Sequence, residues 1–559
     1  MASPVETNPA SDRAAGRGKA AAAMVAAGIL LSRIAGLVRD RVFAHFFGNS
    51  DAADAFRAAF RIPNFLQNLF GEGVLSASFI PVYARLRAQQ ENEQAKKLAE
   101  AIFALLFLAT AVLVALGIFA TPWLIDAIAP GFHGEKRELT IRLVRILFPG
   151  SGLLVFSAWC LGILNSHRRF FLSYTAPVIW NITLIAALIW RGGHASMPRL
   201  AEILAWASVA GSALQFAVQL PTVLRFLWPL RLRLSAEHPN APEMGASGTA
   251  HDDPNAPKTD ASGEHVRTVL RNFGPVFVSR GVVQISAYVD SLLASFLPTG
   301  AVAALSYAQT IYTLPVSLFG MSVSAAELPA MSSALGTSEQ IAAVLRERLA
   351  RGLEQIAYFV VPSAAAFLFL GQVVVATLYR SGLFGARDVT YVWGVLAGSS
   401  VGLLASTSGR LYSSAFYALR DTRTPLKFAA VRVALTVVLG YLCALPLPPL
   451  LGLERKWGVA GLTLSAGIAG WIEFGLLRRS LAKRIGKVSY SLIRIAKLWM
   501  AALLAAAAGL AIWRLTPPLH PVITGVVVLV PYCGAYLLLT HWMGISTVGQ
   551  VWRALQRRR

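Results

Sequence analysis

Five polar side chains between Asp54 and Asn68 sit in an otherwise apolar stretch at a spacing that suits binding chemistry. Asp54, Arg57, Arg61, Asn64 and Asn68 follow one another at steps of three, four, three and four. On a helix this puts all five on one face. Gln67 and Glu72 extend the polar character, while Phe56, Phe60 and Leu66 fall off the stripe. A second group precedes it: Ser32, Arg33, Gly36, Arg39 and Asp40, with Arg33 and Asp40 two turns apart. Two kinds of chemistry fit these residue types. One is internal ion pairing, Asp54 with Arg57 and Asp40 with Arg33. The other is capture of an anion, because Arg33, Arg39, Arg41, Arg57 and Arg61 outnumber Asp40, Asp54 and Glu72. Planar guanidinium forks match the oxygens of phosphate groups well.

The elements that must position these groups are membrane helices. The chain has 559 residues, 55% hydrophobic and only 14% charged, with a mean hydropathy of +0.57. A soluble domain carries about a quarter charged residues. Apolar runs long enough to span a bilayer, roughly 20 residues each, recur throughout. The clearest are 101–124, 171–190, 203–220, 356–378, 430–447, 500–513 and 522–539. The expected fold is all-α and polytopic, with about fourteen transmembrane helices. Basic residues before the apolar stretch at 20–31 resemble a signal peptide, but no cleavage site follows, so this is read as the first span.

Membrane placement gives the polar stripe its meaning. An arginine at mid-bilayer costs roughly 2.5–3.5 kcal/mol even on a lenient insertion scale. Three or four facing lipid would cost about 10 kcal/mol on that scale. These residues are therefore expected to line a wet cavity or to pair with carboxylates, with Pro63 kinking the helix that carries them. A voltage sensor is a poor alternative, because arginine does not recur at every third position along one helix.

The net charge of +23 is read as topology rather than nucleic-acid binding. Arg85, Arg87, Lys96, Lys97, His167–Arg169, Arg346, Arg348, Arg351, Arg420, Arg423, Lys427, Arg478, Arg479, Lys483, Arg484 and Lys487 fall in alternate loops. That positive-inside bias puts both termini in the cytoplasm. The expected organisation is a cytoplasmic tail (1–19), an N-lobe of six helices (20–230), a flexible linker rich in Pro, Gly, Ala and Asp (231–265), a C-lobe of six helices (266–488), a C-terminal helix pair (489–545) and a basic tail (546–559). The lobes echo each other. Ser279-Arg280 matches Ser32-Arg33, Ser317–Gly320 matches Asn68–Gly71, and the Pro329 region matches the Pro81 region, at offsets of 247 to 249. Parallel repeats of this kind place a substrate site where the lobes meet and move by rocking. Arg280 joins the candidate cavity residues on this ground.

Other features are bland. Gly394, Gly398 and Gly402 form a stripe that reads as close helix packing, with a hinge as the alternative. Cys160, Cys443 and Cys533 read as buried, inert thiols. No metal, phosphate-loop or nucleophile motif is visible, so neither an enzyme nor a cofactor is expected.

Three stretches carry a family likeness: "SRIAGLVRDRVFAHFFG" from Ser32, "DAADAFRAAFRIPNFLQNLFGEGVLSASFIPVY" from Asp51, and "FYALRDTRTP" from Phe416. They resemble the MurJ/MviN family, bacterial lipid II flippases of the multidrug/oligosaccharidyl-lipid/polysaccharide exporter superfamily. The likeness covers nearly the whole chain. It implies two six-helix lobes, a central cationic cavity, and a hydrophobic groove near the last two helices for a lipid tail. It implies movement of undecaprenyl-diphosphate disaccharide-peptide from the cytoplasmic to the outer leaflet of the bacterial inner membrane, for peptidoglycan synthesis. Lipid II, membrane lipids and other cell-wall synthesis proteins would be its partners. Carried over by motif, Ser32, Arg33, Arg39, Asp40 and Asp54 match the family's polar cavity positions. The chain departs from the pattern at Gln67 and Asn68, and at Gln309 and Thr310 in "SYAQTIYTLP", where the family usually has arginine. Arg57, Arg61 and Arg280 are the candidates to supply the missing charge. Energy would come from the membrane potential or a monovalent cation. Asp421 is the candidate for ion coupling, against a cap or an ion pair with Arg420 or Arg423. The competing functions are a flippase for another polyprenyl-linked glycan, a drug exporter of the same superfamily, and a non-transporting scaffold. A cation exporter would need carboxylates where this chain has arginines.

Overall fold

The computed structural model describes residues 9–70, 72–228, 266–271, 288–333, 337–489 and 491–545, with side chains from residue 27 onward apart from 69, 72–74, 76 and 77. The protein is all-helical and polytopic. In order the helices are α1 (Pro9–Phe47), α2 (Asp51–Phe70), α3 (Glu72–Ala88), α4 (Asn92–Ile128), α5 (Gly134–Ser166), α6 (Phe170–Arg191) and α7 (Met197–Leu227). Then come α8 (Ala301–Pro315), a π turn (Val316–Met321), α9 (Ser322–Ser332), α10 (Ser338–Phe369), α11 (Gly371–Tyr379), α12 (Ala386–Ser400) and α13 (Leu403–Ala418). The last four long helices are α14 (Arg423–Ala444), α15 (Gly458–Ile485), α16 (Leu492–Leu515) and α17 (Pro521–Trp542). Among the described residues ten helices are long and apolar enough to cross a membrane, or eleven counting α12 and α13 as one bent span. The described residues therefore do not reach fourteen. Helix α2, with Asp51, Asp54, Arg57 and Arg61, is not one of the ten.

The chain divides into two compact units that are not contiguous in sequence. The first comprises residues 1–39, 58–126 and 134–285; the second comprises 40–57, 127–133 and 286–559. The end of α1 and the start of α2 thus belong to the second unit. In the first unit α5 packs along α7 and against α3. Trp159 is fully buried there among Phe79, Tyr83 and Leu164, and its Nε1 donates to the Ala99 carbonyl at 3.2 Å. Buried polar groups are mutually satisfied: Gln215 donates to Ser157 at 2.9 Å, and Ser157 donates to Gln219 at 3.0 Å, as an apolar interior demands.

The second unit shows how proline is accommodated in a membrane helix. Pro362 lies inside α10 and has no N–H to give the Tyr358 carbonyl one turn earlier. The Tyr536 hydroxyl on α17 donates to that carbonyl at 2.6 Å, and Tyr532 donates to Pro362 O at 2.6 Å. The C-terminal helices are bound to α10 by this repair as well as by their apolar faces. The glycine stripe is a packing surface. A Cβ at Gly394 would meet Trp457, one at Gly398 would meet Thr463, and one at Gly402 would meet the backbone of Gly467. All three lie on or beside α15. The stripe ends at the 41° bend between α12 and α13. The cysteine expectation needs correcting: Cys160 is buried, Cys443 is half-buried and Cys533 is exposed, because one side of α17 faces outward.

Candidate functional site

The hairpin of α1 and α2 carries the polar residues, and the structure spends several of them on internal contacts. Within the second unit, Arg57 Nη2 donates to Asp40 Oδ1 at 3.1 Å, with both side chains largely buried, 14% and 4% exposed. The same guanidinium lies 4.4 Å from the Phe43 ring centre and 5.1 Å from that of Tyr307. Thr310 donates its hydroxyl to Asp40 Oδ2 at 3.3 Å. The Tyr307 hydroxyl donates to the Gly48 carbonyl at 3.0 Å. Arg57 therefore pairs with Asp40 rather than with Asp54, its neighbour one turn away.

Asp54 has a different task. Its two oxygens accept from the backbone N–H of Gly300 at 2.8 Å and of Ala303 at 2.7 Å, and it is 1% exposed. Gly300 adopts φ +87° at the start of α8, a left-handed conformation suited to glycine. It has no side chain to cap the helix, so the carboxylate of Asp54 satisfies the orphan amides and faces the positive end of the helix dipole. Asp51 supports the same loop by accepting from Thr299 at 2.9 Å. Arg41 does the complementary job at a C-terminus, donating to the carbonyls of Thr377 at 2.6 Å and Leu378 at 3.0 Å in the last turn of α11.

The first unit holds the rest. Arg39 Nη1 donates to Asn181 Oδ1 at 3.1 Å, and its guanidinium sits 5.0 Å from the Trp180 ring centre. Asn181 is oriented by donating to Pro177 O at 3.0 Å. Trp180 is oriented by donating to Ser208 O and Oγ at 3.2 Å, with Phe60 packed 5.6 Å away. Ser32 is half-buried and Arg33 is exposed on α1. Along α2, Arg61, Asn64 and Gln67 are half-buried and Asn68 is exposed. The stripe thus runs from buried at Asp54 to open at Asn68. Helix α2 continues through Pro63 as one element. Glu72 is not on it, standing instead at the first position of α3. Gln309 is half-buried on α8 beside Thr310. Arg280 lies outside the described residues.

Asp421 serves as a cap. Its Oδ1 accepts from the N–H of Arg423 and of Thr424 at 3.0 Å each, and its Oδ2 accepts from the Thr424 hydroxyl at 2.6 Å. It also pairs with Arg484 at 2.6 Å, not with Arg420 or Arg423. The Thr424 hydrogen bonds foremost, with Arg484 behind them, pull its carboxyl down to about 2. An acid held there is ionised at any physiological pH.

An ion pair between two membrane helices was not anticipated from the sequence. Arg432 Nη1 on α14 pairs with Glu473 Oε2 on α15 at 3.2 Å. The signal was present as one charge in the middle of each apolar run, "AAVRVALTVV" and "AGWIEFGLL". Forty-one residues separate the two, so no local spacing rule links them.

The model of the family described as lipid II flippase MurJ matches residues 43–530. The chain is similar to the lipid II flippase MurJ of Burkholderia cenocepacia, 33% identical over 466 residues that cover 81% of this chain and 82% of that protein. Its fold is similar to a solved lipid II flippase MurJ in an inward closed conformation, with a TM-score of 0.72 at 22% identity over 93% of this chain and 99% of that one. An inward-facing MATE family transporter of the MOP superfamily shares the fold at a TM-score of 0.60 and 17% identity, over 81% of this chain and 95% of that one.

Proposed function

The chain belongs to the lipid II flippase MurJ family, and from that membership we propose that it carries lipid II, an anionic diphosphate lipid, from the inner to the outer leaflet of the bacterial cytoplasmic membrane. The observation that carries this reading is the family match across residues 43–530. The diphosphate head enters a cationic cavity while the polyprenyl tail stays in lipid, and alternating access turns the head outward. No bond is made or broken. Arg33, Arg39 and Arg61 are the guanidinium groups proposed for the head. Arg33 is exposed, and Arg39 is held by Asn181 and Trp180. Arg41 and Arg57 are assigned to scaffolding, because Arg41 donates to helix carbonyls and Arg57 to a buried carboxylate. The membrane potential or a monovalent cation supplies the energy, and both termini are cytoplasmic.

The test is rescue of cells depleted of their own lipid II flippase, with outer-leaflet lipid II measured. The wild-type chain is expected to restore both growth and lipid II exposure, and Arg33→Ala with Arg61→Ala to lose both. Failure of the well-expressed wild type would overturn the substrate assignment. Full rescue by the double variant would overturn the cationic site.

A further inference from the structure

The second unit carries charge at a depth where facing lipid is costly. The Asp421–Arg484 ion pair holds together the ends of three helices: α13 ends just before Asp421, α14 starts just after it, and α15 ends at Arg484 and Ile485. Counted from that clasp, Arg410 on α13 and Arg432 on α14 each lie eleven residues from Asp421, and Glu473 on α15 lies eleven residues from Arg484. Eleven residues of helix rise about 16 Å, about half of a hydrocarbon core roughly 30 Å thick. Three charged side chains on three helices therefore share one level near mid-membrane.

Their balance and exposure are unequal. Arg432 pairs with Glu473 at 3.2 Å, the arginine 42% and the glutamate 14% exposed. Arg410 is exposed at the same level. The Tyr312 hydroxyl shares a 2.8 Å hydrogen bond with Ser406, one turn before Arg410 on α13, and α13 and α14 both pack against α15. The level carries two guanidinium groups for one carboxylate. Exposed charge at this depth is tolerated only where it meets water or a polar ligand, not acyl chains.

We infer that Arg410 and Arg432 form a second anion-binding subsite, which takes a diphosphate or similar phosphate-bearing head, with Glu473 as the internal counter-ion that holds Arg432 until the ligand displaces it. The inference rests on the flippase reading above and supplies that reading with guanidinium groups on the second unit, where Gln309 and Thr310 occupy the positions at which arginine was expected. An exchange of this kind keeps Arg432 paired in the empty state, so no unbalanced charge is stranded when the ligand leaves. It also makes ligand affinity depend on Glu473 with a sign that a purely structural ion pair would not produce.

The experiment measures binding of inorganic pyrophosphate to the purified full-length chain in detergent, beside the rescue assay. Glu473→Gln frees Arg432 and is expected to tighten pyrophosphate about tenfold, the scale of one charge-assisted hydrogen bond. Arg410→Ala, and separately Arg432→Ala combined with Glu473→Ala, are expected to weaken it about tenfold on the same basis. The paired removal leaves no orphan carboxylate, and a melting curve for each variant confirms folding. If the wild type rescues cells but folded Arg410→Ala and Arg432→Ala/Glu473→Ala rescue and bind as it does, the subsite is overturned and the flippase reading stands. If the wild type itself neither rescues nor binds, both fall together.

Discussion

Replacing Arg57 with alanine separates a scaffold arginine from a ligand arginine. The guanidinium is 3.1 Å from the Asp40 carboxylate, and both groups are largely removed from solvent. Removing one member of a buried ion pair costs about 3–5 kcal/mol, because the other charge stays buried without its counter-charge. Loss of the stacking on Phe43 and Tyr307, at 4.4 and 5.1 Å, adds about 1 kcal/mol. The single variant should therefore lose about 4–6 kcal/mol. Arg57→Ala with Asp40→Ala removes both charges and should recover about 2 kcal/mol of that loss, the coupling typical of groups in direct contact. The assay is thermal and denaturant unfolding of the purified chain in detergent for wild type, both single variants and the double. The expected pattern is a marked fall in melting temperature for Arg57→Ala and a milder one for the double. An unchanged melting temperature for Arg57→Ala, with lipid II exposure abolished in the rescue assay, would refute the reasoning and return Arg57 to the substrate.

Two further substitutions test the capping contacts. Asp54→Ala orphans two buried amides, those of Gly300 and Ala303, at about 1–3 kcal/mol each. Asp54→Asn keeps one acceptor and should cost about half as much, with faster hydrogen exchange confined to the start of α8. Asp421 sets a pH dependence whose sign follows from its carboxyl lying at about 2 when folded, against roughly 3.9 in an unfolded chain. A carboxyl depressed on folding stabilises above its unfolded value and loses that contribution as pH falls from about 4 to 2. Melting curves taken from pH 7 to pH 2 should show this acid limb in the wild type and a shallower one in Asp421→Asn.

The parts of the fold read most directly from sequence were those that obey one local rule. Hydropathy alone identified helices such as α4, α7, α16 and α17, since a run of that length has no other stable place. The charged stripe was visible as three-and-four spacing and the glycine stripe as steps of four. Partners were not visible, for a physical reason. Asp54 and Arg57 satisfy the local pairing rule, yet Asp54 finds two backbone amides of a helix more than two hundred residues away. A carboxylate at the positive end of a helix gains more there than beside a flexible guanidinium. Arg57 is then left to Asp40 across the turn of the hairpin. The Cys533 expectation failed because an apolar neighbourhood does not distinguish a core-facing position from a lipid-facing one.

This exchange of partners also explains why counting arginines overstated the cavity. Five were counted against three carboxylates, but charge in a membrane protein has two uses that look alike in sequence. Arg41 closes a helix end and Arg57 neutralises a buried aspartate, so neither adds to the potential available to an anion. Arg33 is exposed on α1, and Arg39 donates to the Asn181 side chain and lies against Trp180. The second unit repeats the pattern with the roles divided more evenly. Arg432 is neutralised by Glu473, and Arg410 stands at the same level. What decides between scaffold and ligand is therefore whether a carboxylate or a helix end lies within reach, and that is a property of the packed helices rather than of the stripe.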